Sequence, residues 1–261
     1  MSKLITLGCS FSQGMGCHNI ELYNSYNVSN YSELPPSYYN KIKEFVLTNS
    51  IGKHLQDKFG FREYYNYAHP GSSNQSQVLK LFNNLPEGND NTIVWQITVY
   101  DRKPMPHDNV FFDGHLNRST WVNEYYKDIL TRIDGGSQSI YDVERIEAGM
   151  YINIIREYCK ARNWNFYIWF WIKGESEKML DKFPHFKDCI IPYDNPPLDE
   201  FESYTDITGD YHPNEFGYKQ IAGNLIETIL THCKEFPYPN ETPTDWYELP
   251  NKIKRFTKPL I

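Results

Sequence analysis

A serine near one end of the chain and a histidine near the other are the residues whose types and settings could do chemistry. Ser10 lies in Gly8-Cys9-Ser10-Phe11-Ser12, straight after the apolar run Leu4-Ile5-Thr6-Leu7. His212 lies in Asp210-Tyr211-His212-Pro213-Asn214-Glu215-Phe216-Gly217. A hydroxyl, an imidazole to take its proton and a carboxylate to orient the imidazole are the parts of a hydrolytic triad. A serine on the turn after a buried strand reaches the carboxyl edge of a parallel sheet, where open α/β proteins keep their ligands. Taken singly, each residue also has a plain structural reading, Ser10 as a helix cap and His212 as the residue before a helix that opens on proline.

These residues need a frame to bring them together, and the chain alternates strand-like and helix-like segments. Lys3 to Leu7 reads as a first strand and Phe45 to Phe59 as a helix, with Ile51, Leu55 and Phe59 at helical spacing and Gly60 as its C-cap. Arg62 to Tyr67 follows as a strand, Ser73 to Leu85 as a helix and Thr92 to Thr98 as a buried strand. Ile140 to Arg162 is the longest helical pattern, with Ile140, Val143, Met150 and Ile154 roughly in phase. Asn165 to Trp171 is nearly all apolar, as expected of a strand covered on both faces. Cys189 to Pro192 reads as a short last strand and Pro213 to Cys233 as a closing helix. This alternation predicts one α/β domain, a three-layer α/β/α sandwich on a central parallel sheet, over residues 1–235. Two polar stretches interrupt it, at 17–44 and 101–139, the second carrying Pro104, Pro106, a short helix expected from Trp121 to Ile133 and Gly135-Gly136. Both follow strands that end near Ser10, so they are expected to wall the site. Residues 236–261, rich in Pro, Asn and aromatics, read as a C-terminal tail.

Composition narrows the partners. The 261 residues carry a net charge of −7 and no block of Lys/Arg, which argues against nucleic acid. No leader-like segment and no run of about 20 apolar residues is present, so a cytoplasmic location without a membrane span is expected. The five cysteines are odd in number and form no CxxC pair, which predicts reduced thiols and no zinc site. The 21 Tyr and 6 Trp could line a sugar-binding surface, although core filling accounts for aromatics as well. No His pair has the spacing of a helical metal site, and His69, beside Pro70-Gly71, reads as a surface-loop residue.

Four short blocks, in order along the chain, resemble those of the SGNH hydrolase superfamily, also called GDSL-type esterases. Gly8-Cys9-Ser10-Phe11-Ser12 resembles the first block, with Cys9 where the family carries Asp. The resemblance makes Ser10 the nucleophile and its N–H an oxyanion donor; Cys9 as a rival nucleophile is expected to face the other way. Asn66-Tyr67-Ala68-His69-Pro70-Gly71-Ser72-Ser73-Asn74 resembles the second block, whose glycine N–H, here that of Gly71, is an oxyanion donor. In the third block the family carries Gly-x-Asn-Asp after a strand. Here Trp95-Gln96-Ile97-Thr98-Val99-Tyr100-Asp101-Arg102 lacks the Asn, with Thr98 or Tyr100 nearest its place and Asp101 matching the last residue. Asn74, Tyr100 or Arg102 would have to replace that donor, whose loss costs on the order of 10²-fold in rate. The fourth block matches at His212-Pro213-Asn214, which makes His212 the general base. The family's Asp, three residues before the His, falls on Gly209, leaving Asp210 as the orienting acid and Asp206 in reserve.

The resemblance implies a flavodoxin-like fold and a serine esterase that hydrolyses small acyl esters, O-acetyl groups on carbohydrate among them, with no metal or cofactor. The departures in blocks three and four suit a second expectation as well: a catalytically weak or inactive binding or structural protein on the same fold. The Gly-Cys-Ser-Phe and His-Pro-Asn variants resemble members found in bacteriophage genomes, where a virion role or self-association would apply.

Overall fold

Leu4 and Ile5 are both fully buried, yet they belong to different cores, because successive side chains of a strand point to opposite faces of its sheet. The computed structural model describes residues 2–14, 44, 46–69, 71–98, 102–107, 110–115, 140–194, 213 and 215–237. In chain order these form β1 (Lys3–Leu7), α1 (Ser10–Gln13), α2 (Ile51–Phe59), β2 (Glu63–Asn66), α3 (Asn74–Asn83) and β3 (Asn91–Ile97). There follow β4 (Arg102–His107), β5 (Val110–His115), α4 (Ile140–Ala161), β6 (Asn165–Phe170), α5 (Glu175–Lys182), β7 (Ile190–Asp194) and α6 (Glu215–His232).

Five strands make a wholly parallel sheet in the order β2-β1-β3-β6-β7. Ile5, Leu7, Ile93, Trp95, Ile97, Ile168 and Phe170 face one layer, with Leu81 of α3, Ile152 and Ile155 of α4 and Met179 of α5. Leu4, Val94, Trp169 and Ile191 face the other, with Leu55 and Phe59 of α2 and Ile221, Leu225 and Ile229 of α6. The molecule is therefore a three-layer α/β/α sandwich on a parallel sheet, and its strand order is the flavodoxin-like one, reversing direction between β1 and β3. The helices begin where the sequence gives them caps. Ser50 accepts from the Lys53 N–H at 3.3 Å to start α2, and Ser73 accepts from the Ser76 N–H at 3.1 Å to start α3.

Four expectations change. The helix expected over 45–59 is divided at Ser50, whose extended backbone caps α2. Met150 and Ile154, read as the inner face of α4, are 60% and 48% exposed, and the inner face runs through Ala148, Ile152, Ile155 and Cys159 instead. Gly149 helps to set that rotation, for the Phe183 ring occupies the space a Cβ there would need. Arg102–His107 and Val110–His115, within a stretch read as a polar insertion, pair as an antiparallel ribbon separate from the main sheet. Two prolines two residues apart leave a single strand edge without donors, which an isolated ribbon tolerates. Glu175–Lys182 is a helix that the apolar spacing did not signal, its first turn carrying Glu175 and Glu177 at the positive end of the helix dipole. The helix expected at Trp121 to Ile133 and the stretch 17–43 lie outside the described residues. So does the expected tail, apart from Pro237 and Phe236, and Phe236 is 2% exposed in the core against Phe59 and Tyr167.

Candidate active site at the carboxyl edge of the sheet

β1 and β3 are neighbours at the point where strand order reverses, and the turn after β1 carries Ser10. That turn is tight. Gly8 has φ +150°, and a Cβ on it would lie 2.6 Å from Ser12 Cβ and 2.8 Å from Gln96 Oε1. Cys9 is extended and precedes α1, whose single turn closes through Ser12 N–H and Gln13 N–H donating to the Cys9 carbonyl at 3.1 and 3.0 Å. Gly14, left-handed at φ +96°, donates its N–H to the Ser10 carbonyl at 3.2 Å and ends the turn. Ser10 is 4% exposed, and its amide N–H and hydroxyl have no hydrogen-bond partner among the described residues.

The Gly71 loop is stitched to the Ser10 turn through main chain. The Gly8 carbonyl accepts from the His69 N–H at 3.1 Å and from Ser72 Oγ at 2.9 Å. Ser72 Oγ in turn accepts from Gln77 Nε2 at 3.1 Å, and Gln77 Oε1 accepts from the Trp95 indole N–H. Asn66, at the end of β2, donates to the Gln13 carbonyl at 3.2 Å and accepts from the Ala68 N–H at 3.1 Å. Gly71 is left-handed at φ +72°, and a Cβ on it would meet no atom of the described residues within 4 Å.

Asn74 is 6% exposed and clips the start of α3 to the end of β3. Its Oδ1 accepts from the Thr98 N–H at 3.0 Å and its Nδ2 donates to the Thr98 carbonyl at 3.4 Å. One of its two Nδ2 hydrogens is thus committed to the backbone. Cys9 is 2% exposed, with its Sγ turned inward 3.5 Å from Gln96 Oε1. Beneath the turn, Tyr64 Oη lies 3.1 Å from Thr6 Oγ1 and 3.0 Å from Ser50 Oγ, joining β1 to the cap of α2. Burial pushes the Tyr64 phenol up to about 12, against the lowering pull of those hydroxyls and Asn66.

The closing helix meets this turn directly. Tyr218 Oη, fully buried, donates to the Ser10 carbonyl at 3.3 Å. Phe11 stacks on Trp171, which follows β6, with ring centroids 3.8 Å apart and planes at 24°. Trp169 and Tyr193 continue this aromatic row into the core at 1% and 4% exposure, so most of it is packing rather than open surface. Tyr100, Asp101, Asp206, Asp210 and His212 lie outside the described residues, Arg102 is known there only as the first residue of β4, and Pro213 beside His212 is buried.

Gln96 is the residue the four blocks passed over. It is wholly buried, and its Oε1 accepts from Ser12 Oγ at 2.7 Å and from the Cys9 N–H at 3.3 Å. A glutamine inside the apolar run Ile93-Val94-Trp95-Gln96-Ile97 was the available signal.

No protein-family profile and no curated protein matches the chain. Solved structures similar to it include a carbohydrate esterase whose active site displays divergent catalytic and non-catalytic binding functions, at 13% identity and a TM-score of 0.49 over 88% of this chain. The chain spans 64% of the length of that esterase. They also include the psychrotrophic esterase EstA from Pseudoalteromonas sp., at 11% identity and a TM-score of 0.44, covering 88% of this chain and 97% of that one. A member of the lipolytic G-D-S-L family from Veillonella parvula is similar at 13% identity and a TM-score of 0.41, covering 87% and 97%. No described helix is long and apolar enough to cross a membrane, and no described group of His, Cys, Asp and Glu could hold a metal ion.

Proposed function

We propose that the chain is a divergent SGNH-type serine esterase acting on small acyl esters, O-acetyl groups on carbohydrate being the class we favour. Ser10 Oγ attacks the ester carbonyl while His212 takes its proton, and Asp210 holds the imidazole in the productive tautomer, with Asp206 in reserve. The oxyanion is met by the N–H groups of Ser10 and Gly71, with Asn74 and Tyr100 as the side chains nearest to a third donor. The protonated His212 then gives its proton to the departing alcohol, and water, deprotonated by His212, hydrolyses the acyl-enzyme.

The bond from Tyr218 to the Ser10 carbonyl carries this reading. Tyr218 follows His212 by six residues in sequence, so its bond to the serine turn supports the reading that the imidazole comes near Ser10. An amide N–H on Ser10 without a partner among the described residues suits an oxyanion donor.

The test is a fluorophosphonate probe together with p-nitrophenyl acetate hydrolysis, run on the wild type, Ser10→Ala and His212→Ala. Labelling and turnover in the wild type that vanish in Ser10→Ala and fall at least about 10²-fold in His212→Ala are expected. A wild type that neither labels nor turns over sinks the reading.

One observation favours the alternative of a weak or inactive binding protein. Asn74, a stand-in for the missing block-three donor, spends its oxygen and one N–H on the main chain of Thr98. In that case a carbohydrate ester binds without being cleaved, and calorimetry with an O-acetylated oligosaccharide separates binding from turnover.

A further inference from the structure

The Gln96 carboxamide gathers the residues on either side of Ser10. Its Oε1 accepts from Ser12 Oγ at 2.7 Å, from the Cys9 N–H at 3.3 Å and, more weakly, from Cys9 Sγ at 3.5 Å. The oxygen is fixed as the atom facing the turn, since the Cys9 N–H can only donate. The turn wraps this oxygen so closely that a Cβ on Gly8 would lie 2.8 Å from it. Gln96 Nε2, by contrast, is buried and meets no acceptor among the described residues.

An unpaired buried donor costs stability, and its strand neighbours Ile93, Val94, Trp95 and Ile97 are buried and apolar. An amide kept against that cost has a use for its oxygen beyond packing. Resting on the esterase reading above, the geometry points to Gln96 as the positioning residue for the nucleophile. It acts through Cys9 and Ser12, holding the turn that aims Ser10 Oγ and the Ser10 N–H. A glutamine does this without charge. A carboxylate there would offer the same acceptor but set a negative charge beneath the site where an oxyanion forms, opposing it. Small displacements of a reacting group cost much in rate, so loosening this turn falls on the chemical step rather than on substrate binding.

The test compares wild type, Gln96→Met, Ser12→Ala and the double variant, each shown to be folded by circular dichroism, in p-nitrophenyl acetate hydrolysis and fluorophosphonate labelling. Gln96→Met keeps the volume and removes the acceptor; Ser12→Ala removes the shortest of its bonds. Expected is a fall in kcat of about 10- to 100-fold in Gln96→Met and about 10-fold in Ser12→Ala, with KM within about twofold of wild type. The double variant should be no slower than Gln96→Met, because both changes release one hub. If Gln96→Met does not fold, the kcat and KM of Ser12→Ala decide alone. Wild-type kcat in the folded variants, or additive losses in the double, overturns the inference while leaving the esterase reading intact. A wild type that does not label, and cannot be told from Ser10→Ala, overturns both.

Discussion

Tyr218 of the last helix donates a hydrogen bond to the carbonyl of Ser10, across 208 positions of sequence. Both residues are buried, and the same carbonyl also accepts from the Gly14 N–H. The bond ties the first turns of α6 to the turn after β1. Tyr218→Phe removes it with little change of volume and leaves the carbonyl its second donor. We expect a loss of about 1 kcal/mol in urea unfolding, together with slower fluorophosphonate labelling. Unchanged unfolding and labelling would show that the helix is held by apolar packing alone.

Gly8 and Gly71 both have positive φ, but they differ in surroundings. An alanine Cβ at Gly8 would run into Ser12 and Gln96, while at Gly71 it would meet none of the described residues. Gly8→Ala should therefore cost about 3 kcal/mol or prevent folding, from strain and overlap together. Gly71→Ala should fold and lose only about 1 kcal/mol, from backbone strain. Equal losses in denaturant titrations of the two variants would contradict the tightness of the Ser10 turn.

Tyr64 gives the protein an alkaline limit. Burial raises its phenol from 10.0 to about 12, so the folded state holds this proton more firmly than the unfolded chain does. The stabilisation is whole below pH 10 and is lost as pH climbs from there through about 12. Urea midpoints should fall over that window. The fall should be shallower in Tyr64→Phe, although Cys159 and Cys189, whose thiols burial also pushes up to about 12, contribute to it in both proteins. A slope that is the same in Tyr64→Phe would remove Tyr64 from the account.

A buried ion pair joins α4 to α5. Arg145 Nε donates to Glu175 at 3.0 Å, and Arg145 Nη1 reaches Asp142 at 2.6 Å. Burial raises the Glu175 carboxyl, but the hydrogen bonds from Arg145 and Lys178 outweigh it and hold it below its usual 4.5. The contribution is present above pH 4.5 and disappears as pH drops through the lower folded value. Arg145→Met should cost about 3 kcal/mol near neutral pH, since it leaves a buried carboxylate with Lys178 as its remaining cationic partner, and the deficit should shrink in acid as Glu175 takes up a proton. A pH-independent deficit in urea titrations would argue that only packing was lost.

The sheet was legible because its strands are apolar on both faces. Leu4 with Ile5 and Val94 with Trp95 supply two cores at once, a pattern that belongs to parallel strands between helix layers. The caps at Ser73 and Gly60 were legible for the same local reason, each being the residue type its backbone position requires.

What escaped had contradictory local chemistry. Pro104 and Pro106 argue against a strand, and the β4–β5 ribbon exists despite them. In α5, Met179 and Leu180 alone mark an apolar side, and charge hides the rest of the helix. On α4 the residues Met150 and Ile154 looked like a core face because hydropathy alone does not say which of two apolar stripes is covered; small Ala148 and Gly149 decide it. In the candidate site, the Ser10 turn was readable from the buried strand before it, and the Gly71 loop only from its resemblance to a family block. Gln96 was not, because its contribution depends on a contact with residues 84 and 87 positions away.

A ribosome would release β1, which lies near the middle of the finished sheet, long before Tyr218 emerges. At about 5–20 residues per second, the 208 positions between Ser10 and Tyr218 correspond to roughly 10–40 s. Over that interval Leu4, and then Val94, Trp169 and Ile191 as they emerge in turn, have no α6 to cover them. A nascent or prematurely terminated chain is thus sticky on one side, and quality-control factors that patrol translation would meet it in that form.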